Sequence, residues 1–135
     1  MEQAKKLLLE GEYTCVICGS GMTLTATERG IKPLARWVEE GIDLRGCRAA
    51  DKVVGKATAF LYCLLGVEGV YGRVMSEQAL AVLQRHGIAA EYDTLARHII
   101  NRRGDGICPF EEAVLSEEDP ARAWQRIREK LKAGL

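Results

Sequence analysis

Residues 53–67, Val-Val-Gly-Lys-Ala-Thr-Ala-Phe-Leu-Tyr-Cys-Leu-Leu-Gly-Val, form the longest apolar run in the chain. A segment of this kind is driven out of water, into either a bilayer or the interior of a folded domain. A bilayer span needs about 20 apolar residues, and this run is shorter and interrupted by Gly55, Lys56, Thr58 and Gly66. The domain interior remains. Extended back to position 49, the pattern predicts one long helix over 49–65, stopped by Gly66. After its first turn it is apolar almost all round, so it is expected to lie buried in the domain rather than on its surface.

The rest of the chain has the means to bury it. At 135 residues and 47% hydrophobic, the sequence fits one domain over 1–135, large enough to hold a core without disulfides or metal. That apolar share excludes a disordered chain. Nineteen basic side chains balance 19 acidic ones, which argues against a nucleic-acid binder working through bulk charge. The first ten residues reach Glu10 directly after three leucines, so they do not read as a signal peptide, and no membrane partner is expected. Five cysteines, an odd number at irregular spacing, do not form a secreted disulfide framework. The expected location is the cytoplasm.

Periodicity and punctuation predict the other elements. A short helix covers 4–10. Strands over 12–18 and 22–27 form a hairpin across Gly19-Ser20-Gly21. A helix over 33–40 carries Leu34, Trp37 and Val38 at helical spacing, and 42–48 follow as a loop. A strand over 70–75 leads to Ser76, the N-cap of a helix ending at His86-Gly87. A strand over 88–92 precedes a helical segment over 93–100, then a loop over 101–107 and a short helix over 109–115 with proline first. Asp119-Pro120 opens the last helix, about 120–133, with Trp124, Ile127 and Leu131 on one face. Strands separated by helices make this a layered α/β domain.

Three separated segments carry a resemblance that spans nearly the whole chain. Glu28-Arg29-Gly30-Ile31-Lys32-Pro33-Leu34, Ala49-Ala50-Asp51-Lys52-Val53-Val54-Gly55-Lys56-Ala57 and Gly106-Ile107-Cys108-Pro109-Phe110-Glu111-Glu112-Ala113-Val114-Leu115 resemble the signature segments of a small prokaryotic family of unknown function. That family is assigned a cytidine deaminase-like fold. The resemblance implies a three-layer α/β/α sandwich, and, because such folds often assemble, a homodimer. A zinc deaminase of this fold places His (or Cys)-x-Glu and Pro-Cys-x-x-Cys at two helix starts, where they hold the metal and move protons. The corresponding helix starts here are expected at Ala50-Asp51-Lys52 and Met75-Ser76-Glu77-Gln78, with neither motif present. No zinc site and no cofactor are implied.

The chemistry is sought elsewhere. In the predicted helix, Lys52 and Lys56 stand four residues apart, share a face and oppose the positive end of the helix dipole, with Arg45 and Arg48 just before them. Either a phosphate or carboxylate sits between them, helped by backbone amides at the helix start, or both lysines reach solvent. Asp51 beside them, Ser76 at the next helix start and Glu111, which has the reach to answer Lys52 or Lys56, complete that group. The loop Asn101-Arg102-Arg103-Gly104-Asp105-Gly106 combines forked donors, Arg102 and Arg103, with glycines that let backbone approach a ligand. Cys108, at the N-cap of the short helix, is either a nucleophile favoured by dipole and arginines or a small buried hydrophobe. Cys15 and Cys18 have the spacing of a redox or metal pair, but a strand would turn them to opposite faces.

The leading expectation is a zinc-free deaminase-like domain binding a small anionic ligand, nucleotide-related in kind. Asp51, Lys52 and Cys108 are its candidate catalytic groups; Lys56, Ser76, Arg102, Arg103, Gly104, Gly106 and Glu111 are its candidate ligand contacts. A thiol or redox protein using Cys108 or Cys15 with Cys18, and a non-catalytic regulatory or assembly module, are the alternatives.

Overall fold

The computed structural model describes residues 2–28, 30–100, 104 and 106–133. In chain order the elements are α1 (Glu2–Glu10), β1 (Cys15–Gly19), β2 (Met22–Ala26), α2 (Lys32–Glu39), β3 (Arg48–Val54) and α3 (Lys56–Leu65). They continue as β4 (Gly69–Ser76), α4 (Glu77–Arg85), β5 (Ala89–Ala96), α5 (Pro109–Ala113) and α6 (Pro120–Lys132). The strands form one sheet in the order β2-β1-β3-β4-β5. Strand β1 runs antiparallel to both its neighbours, whereas β3, β4 and β5 are parallel.

Both sheet faces are covered. On one, Ala4 and Leu8 of α1 pack over Val16, Cys18, Ala50 and Tyr71. On the other, α2, α3, α4 and α6 bury Leu34, Trp37, Phe60, Leu61, Leu83 and Ile127 against Ile17, Ala49, Val70 and Met75. The chain is thus a mixed α/β fold, a five-stranded sheet flanked by helices. Several end signals act as the sequence predicts. Ser76 Oγ accepts the Ala79 N–H at 3.0 Å, Gly66 closes α3 at φ +85°, and Asp119 Oδ2 accepts the Arg122 N–H at 3.0 Å.

Two elements differ from expectation. The single helix over 49–65 is a strand followed by a helix. Strand β3 is hydrogen-bonded on both sides, to β1 and β4, and in its first half Ala49 and Ala50 are buried on opposite faces. A strand in that position shows a continuous apolar run rather than alternation, the same pattern a buried helix shows. The chain turns from one to the other at Gly55, which is extended, with φ −98° and ψ −178°. The first half of the helical segment over 93–100 is likewise strand, and no helix follows it there. Strand β5 stays in register with β4 as far as Ala96, opposite Ser76. Its outer edge carries little burial, so its sequence gives no apolar alternation to read.

Candidate functional site

A cavity of about 820 Å³ opens where the start of α2, the second half of β3 and the start of α3 come together. Gly30, Ile31, Lys32, Pro33 and Leu34 supply one wall, Asp51, Lys52 and Val53 a second, and Gly55 and Thr58 a third. Ile99, Ile100, Cys108, Pro109, Phe110 and Glu111 close the remaining side, with Thr14 and Cys15 of the first hairpin beneath. This convergence follows from the topology. In a parallel β3-α3-β4 unit the strand's carboxyl end and the next helix start lie on the same edge, the usual place for ligands in α/β sheets. A smaller depression of about 330 Å³, lined by Val38, Ile42, Asp43, Arg45 and Leu64, offers only the exposed Asp43–Arg45 ion pair.

Asp51 is the unusual group in the larger cavity. It is half-buried, and burial pushes its carboxyl up to about 7, against hydrogen bonds that pull it down. Tyr62 Oη donates to Asp51 Oδ2 at 2.7 Å, and the Val53 N–H lies 3.3 Å from Oδ1. Tyr62 is fully buried, and its hydroxyl also meets Cys15 Sγ at 3.2 Å. Burial raises the Tyr62 phenol and the Cys15 thiol well above their ordinary values, and Asp51's charge raises both further. Tyr62 and Cys15 therefore keep their protons at neutral pH, whereas Asp51 loses its proton across about pH 7, in a chain that ends on the cavity.

Glu111 has a different role from Asp51. Its Oε1 accepts the Lys56 N–H at 2.6 Å and its Oε2 the Ala57 N–H at 2.8 Å. The carboxylate therefore binds the amino end of α3, where unpaired amides and the helix dipole favour an anion. Burial raises its pKa, and the two amides, Lys56 and His98 draw it back down. Gly55 makes room for it: a Cβ there would lie 2.5 Å from the Glu111 carboxyl carbon.

Several sequence expectations are corrected by this arrangement. Lys52 and Lys56 share no helix face, because Lys52 is on β3 and Lys56 begins α3. Lys56 leaves the cavity altogether. It is buried, its Nζ donates to the Leu115 carbonyl at 2.8 Å, and it pairs with Glu118 at 3.4 Å. The same Glu118 pairs with Arg85. Ser76 is buried as the α4 cap and does not line the cavity. Gly104 and Gly106 do not line it either, and Arg102 and Arg103 lie outside the described residues. Cys15 and Cys18 are both buried and pack into the cores on opposite sheet faces, so they cannot work as a redox pair.

Asp51, Lys52, Cys108 and Glu111 do meet at one cavity. Cys108 reaches the wall from the N-cap of α5, with its N–H donated to the Ile99 carbonyl at 3.0 Å. Sequence reasoning missed Tyr62, Lys32 and Thr58. A usable signal existed for Tyr62: a tyrosine in an all-apolar helix must find a partner for its hydroxyl. Among the described residues, no group of three or more His, Cys, Asp or Glu stands close enough to hold a metal ion.

A protein family described as a domain of unknown function (DUF1893) matches residues 3–131. The chain belongs to that family. This DUF1893 chain is similar to the crystal structure of a DUF1893 family protein from Thermotoga maritima, with 26% sequence identity and a TM-score of 0.85. The match covers 98% of this chain and 88% of that one. No curated protein matches the DUF1893 chain. Among its described residues, no helix is long and apolar enough to cross a membrane.

Proposed function

We propose that this DUF1893 domain is a zinc-free, deaminase-like domain whose cavity binds a small anionic molecule with an apolar, ring-like body, a nucleotide or a relative of one. The observation that carries this reading is the cavity itself. About 820 Å³ is within the range of small-molecule sites, which combine apolar walls with a few convergent polar groups. Ile31, Pro33, Val53 and Phe110 offer the apolar surface, and Asp51, Lys32 and Lys52 the polar points. The anion is assigned to Lys32 and Lys52. The α3 amides already hold Glu111, and Lys56 is engaged with Leu115 and Glu118.

The deaminase-like assignment is supported by the strand order, by helices on both sheet faces, and by a cavity bracketed by two helix starts. Ligand groups stand at helix starts in the fold this chain resembles. Here the helix starts at the cavity read Ile31-Lys32 and Gly55-Lys56, and neither carries an imidazole or thiol to bind zinc. Of the two starts expected from the sequence, Ala50-Asp51-Lys52 lies within β3, and Met75-Ser76-Glu77-Gln78 opens α4 away from the cavity. The test is a thermal-shift and calorimetric panel of nucleotides, phosphosugars and carboxylates. A binding ligand raises Tm by mass action, and Lys52→Gln is expected to weaken that ligand several-fold. No response from any member of the panel overturns the proposal.

A further inference from the structure

Resting on the reading that this cavity binds a small molecule, we infer that Asp51 takes the ligand's hydrogen-bond-donating edge, the paired N–H groups of an amino-heterocycle or amidine. The inference follows from which acceptor sites are filled. A carboxylate offers about four lone-pair positions on two oxygens. Tyr62 satisfies Oδ2 well at 2.7 Å, whereas the Val53 N–H at 3.3 Å is a long bond to Oδ1. Among the described residues, no cation forms an ion pair with Asp51. The group is thus an under-supplied acceptor beside an apolar space, where a donor pair gains most.

Its surroundings aim it. The Tyr62 phenol has one proton, and with that proton donated in the hydrogen bond to Asp51 its oxygen is left to accept from the Cys15 thiol. The hydrogen bonds run Cys15 to Tyr62 to Asp51, which fixes the carboxylate's orientation. Among the described residues, no other side chain donates a hydrogen bond to Asp51. Strand β4 presents Gly72 opposite Asp51, without a side chain. Glu111 from α5 is occupied by the α3 amides. Lys32 from α2 and Lys52 from β3 line the same cavity and are cations available there for a ligand's anionic end. A molecule with donors at one end and an anion at the other matches both.

The probes are 4-amidinobenzoate, which has both ends, and terephthalate, in which a second carboxylate replaces the amidinium. Binding to the full chain is followed by calorimetry and by amide chemical shifts between pH 6 and 8.5. The amidine compound is expected to bind about tenfold or more tightly at pH 8. Its affinity should rise across the range as Asp51 ionises, since the amidinium stays charged throughout. Asp51→Asn should remove both the preference and the pH dependence. Should Asp51→Asn fail to fold, Tyr62→Phe supplies the readout: losing a donor to the ionised carboxyl moves the pH midpoint of amidine binding upward. Equal binding of the two compounds, binding of neither, a preference retained in Asp51→Asn, or an unmoved midpoint in Tyr62→Phe overturns the inference. Nucleotide or phosphosugar binding that depends on Lys52, without an amidine preference, overturns the role of Asp51 alone. Silence from every compound overturns the cavity reading as well.

Discussion

Two carboxylates line one cavity and are held in opposite ways. Glu111 has two backbone amides as donors and is fixed by them; Asp51 has one good donor and is half-buried, with no ion pair among the described residues. Burial lifts the Asp51 carboxyl from the ordinary 3.8 to about 7. An acid whose pKa is higher in the folded chain binds its proton more tightly there. Its contribution to stability is therefore complete below pH 3.8 and is lost as pH rises through about 7. Asparagine has no such charge to bury. Between pH 5 and 8 the Tm of Asp51→Asn should gain steadily on that of the parent chain. A constant difference over that range, measured by calorimetry in one buffer series, would show that Asp51 ionises normally. At this scale much was legible: Asp51, Lys52, Cys108 and Glu111 stand out by residue type and neighbours. Tyr62 was hidden because its partner is brought to it by packing rather than by sequence proximity.

Gly55, the joint between β3 and α3, shows at the scale of elements why the sequence was only partly readable. Hairpin, capped helices and the final helix announce themselves through local chemistry: Gly19-Ser20-Gly21, Ser76, Asp119-Pro120. A strand with small residues buried on both faces has no such local mark, and Val53-Val54 at the end of β3 run on into the apolar α3. The error then moved the site, because it placed Lys52 and Lys56 on one helix face. The extended backbone at Gly55 is open to any residue, so glycine stands there for space. Gly55→Ala is expected to push Glu111 off the α3 amides and to cost about 1–3 kcal/mol, as overpacking does. Urea denaturation gives the cost, and hydrogen exchange should show the Lys56 and Ala57 amides losing protection. Unchanged protection would mean that α5 and Glu111 shift together without letting go.

Across the whole molecule, contacts between distant parts of the chain make the core. Helix α6 returns from the carboxyl-terminal region to bury Ala123 and Ile127 against the same core as α3 and α4. Ile127 is fully buried. Its replacement by alanine should cost about 2–5 kcal/mol, the range for deleting a large aliphatic side chain from a core. Fluorescence and circular dichroism should report that loss in a single shared transition; separate transitions would mean that α6 unfolds on its own. Such long-range register is what the sequence withholds, since strand order depends on which distant edges meet. The Glu111 contact is of the same kind, made across 55 residues from Lys56. A carboxylate tethered by a folded chain acts at an effective concentration on the order of millimolar or higher. Free phosphate must compete with that internal rival for the α3 amides, so the fold acts as its own inhibitor at this helix and leaves outside anions to the lysines.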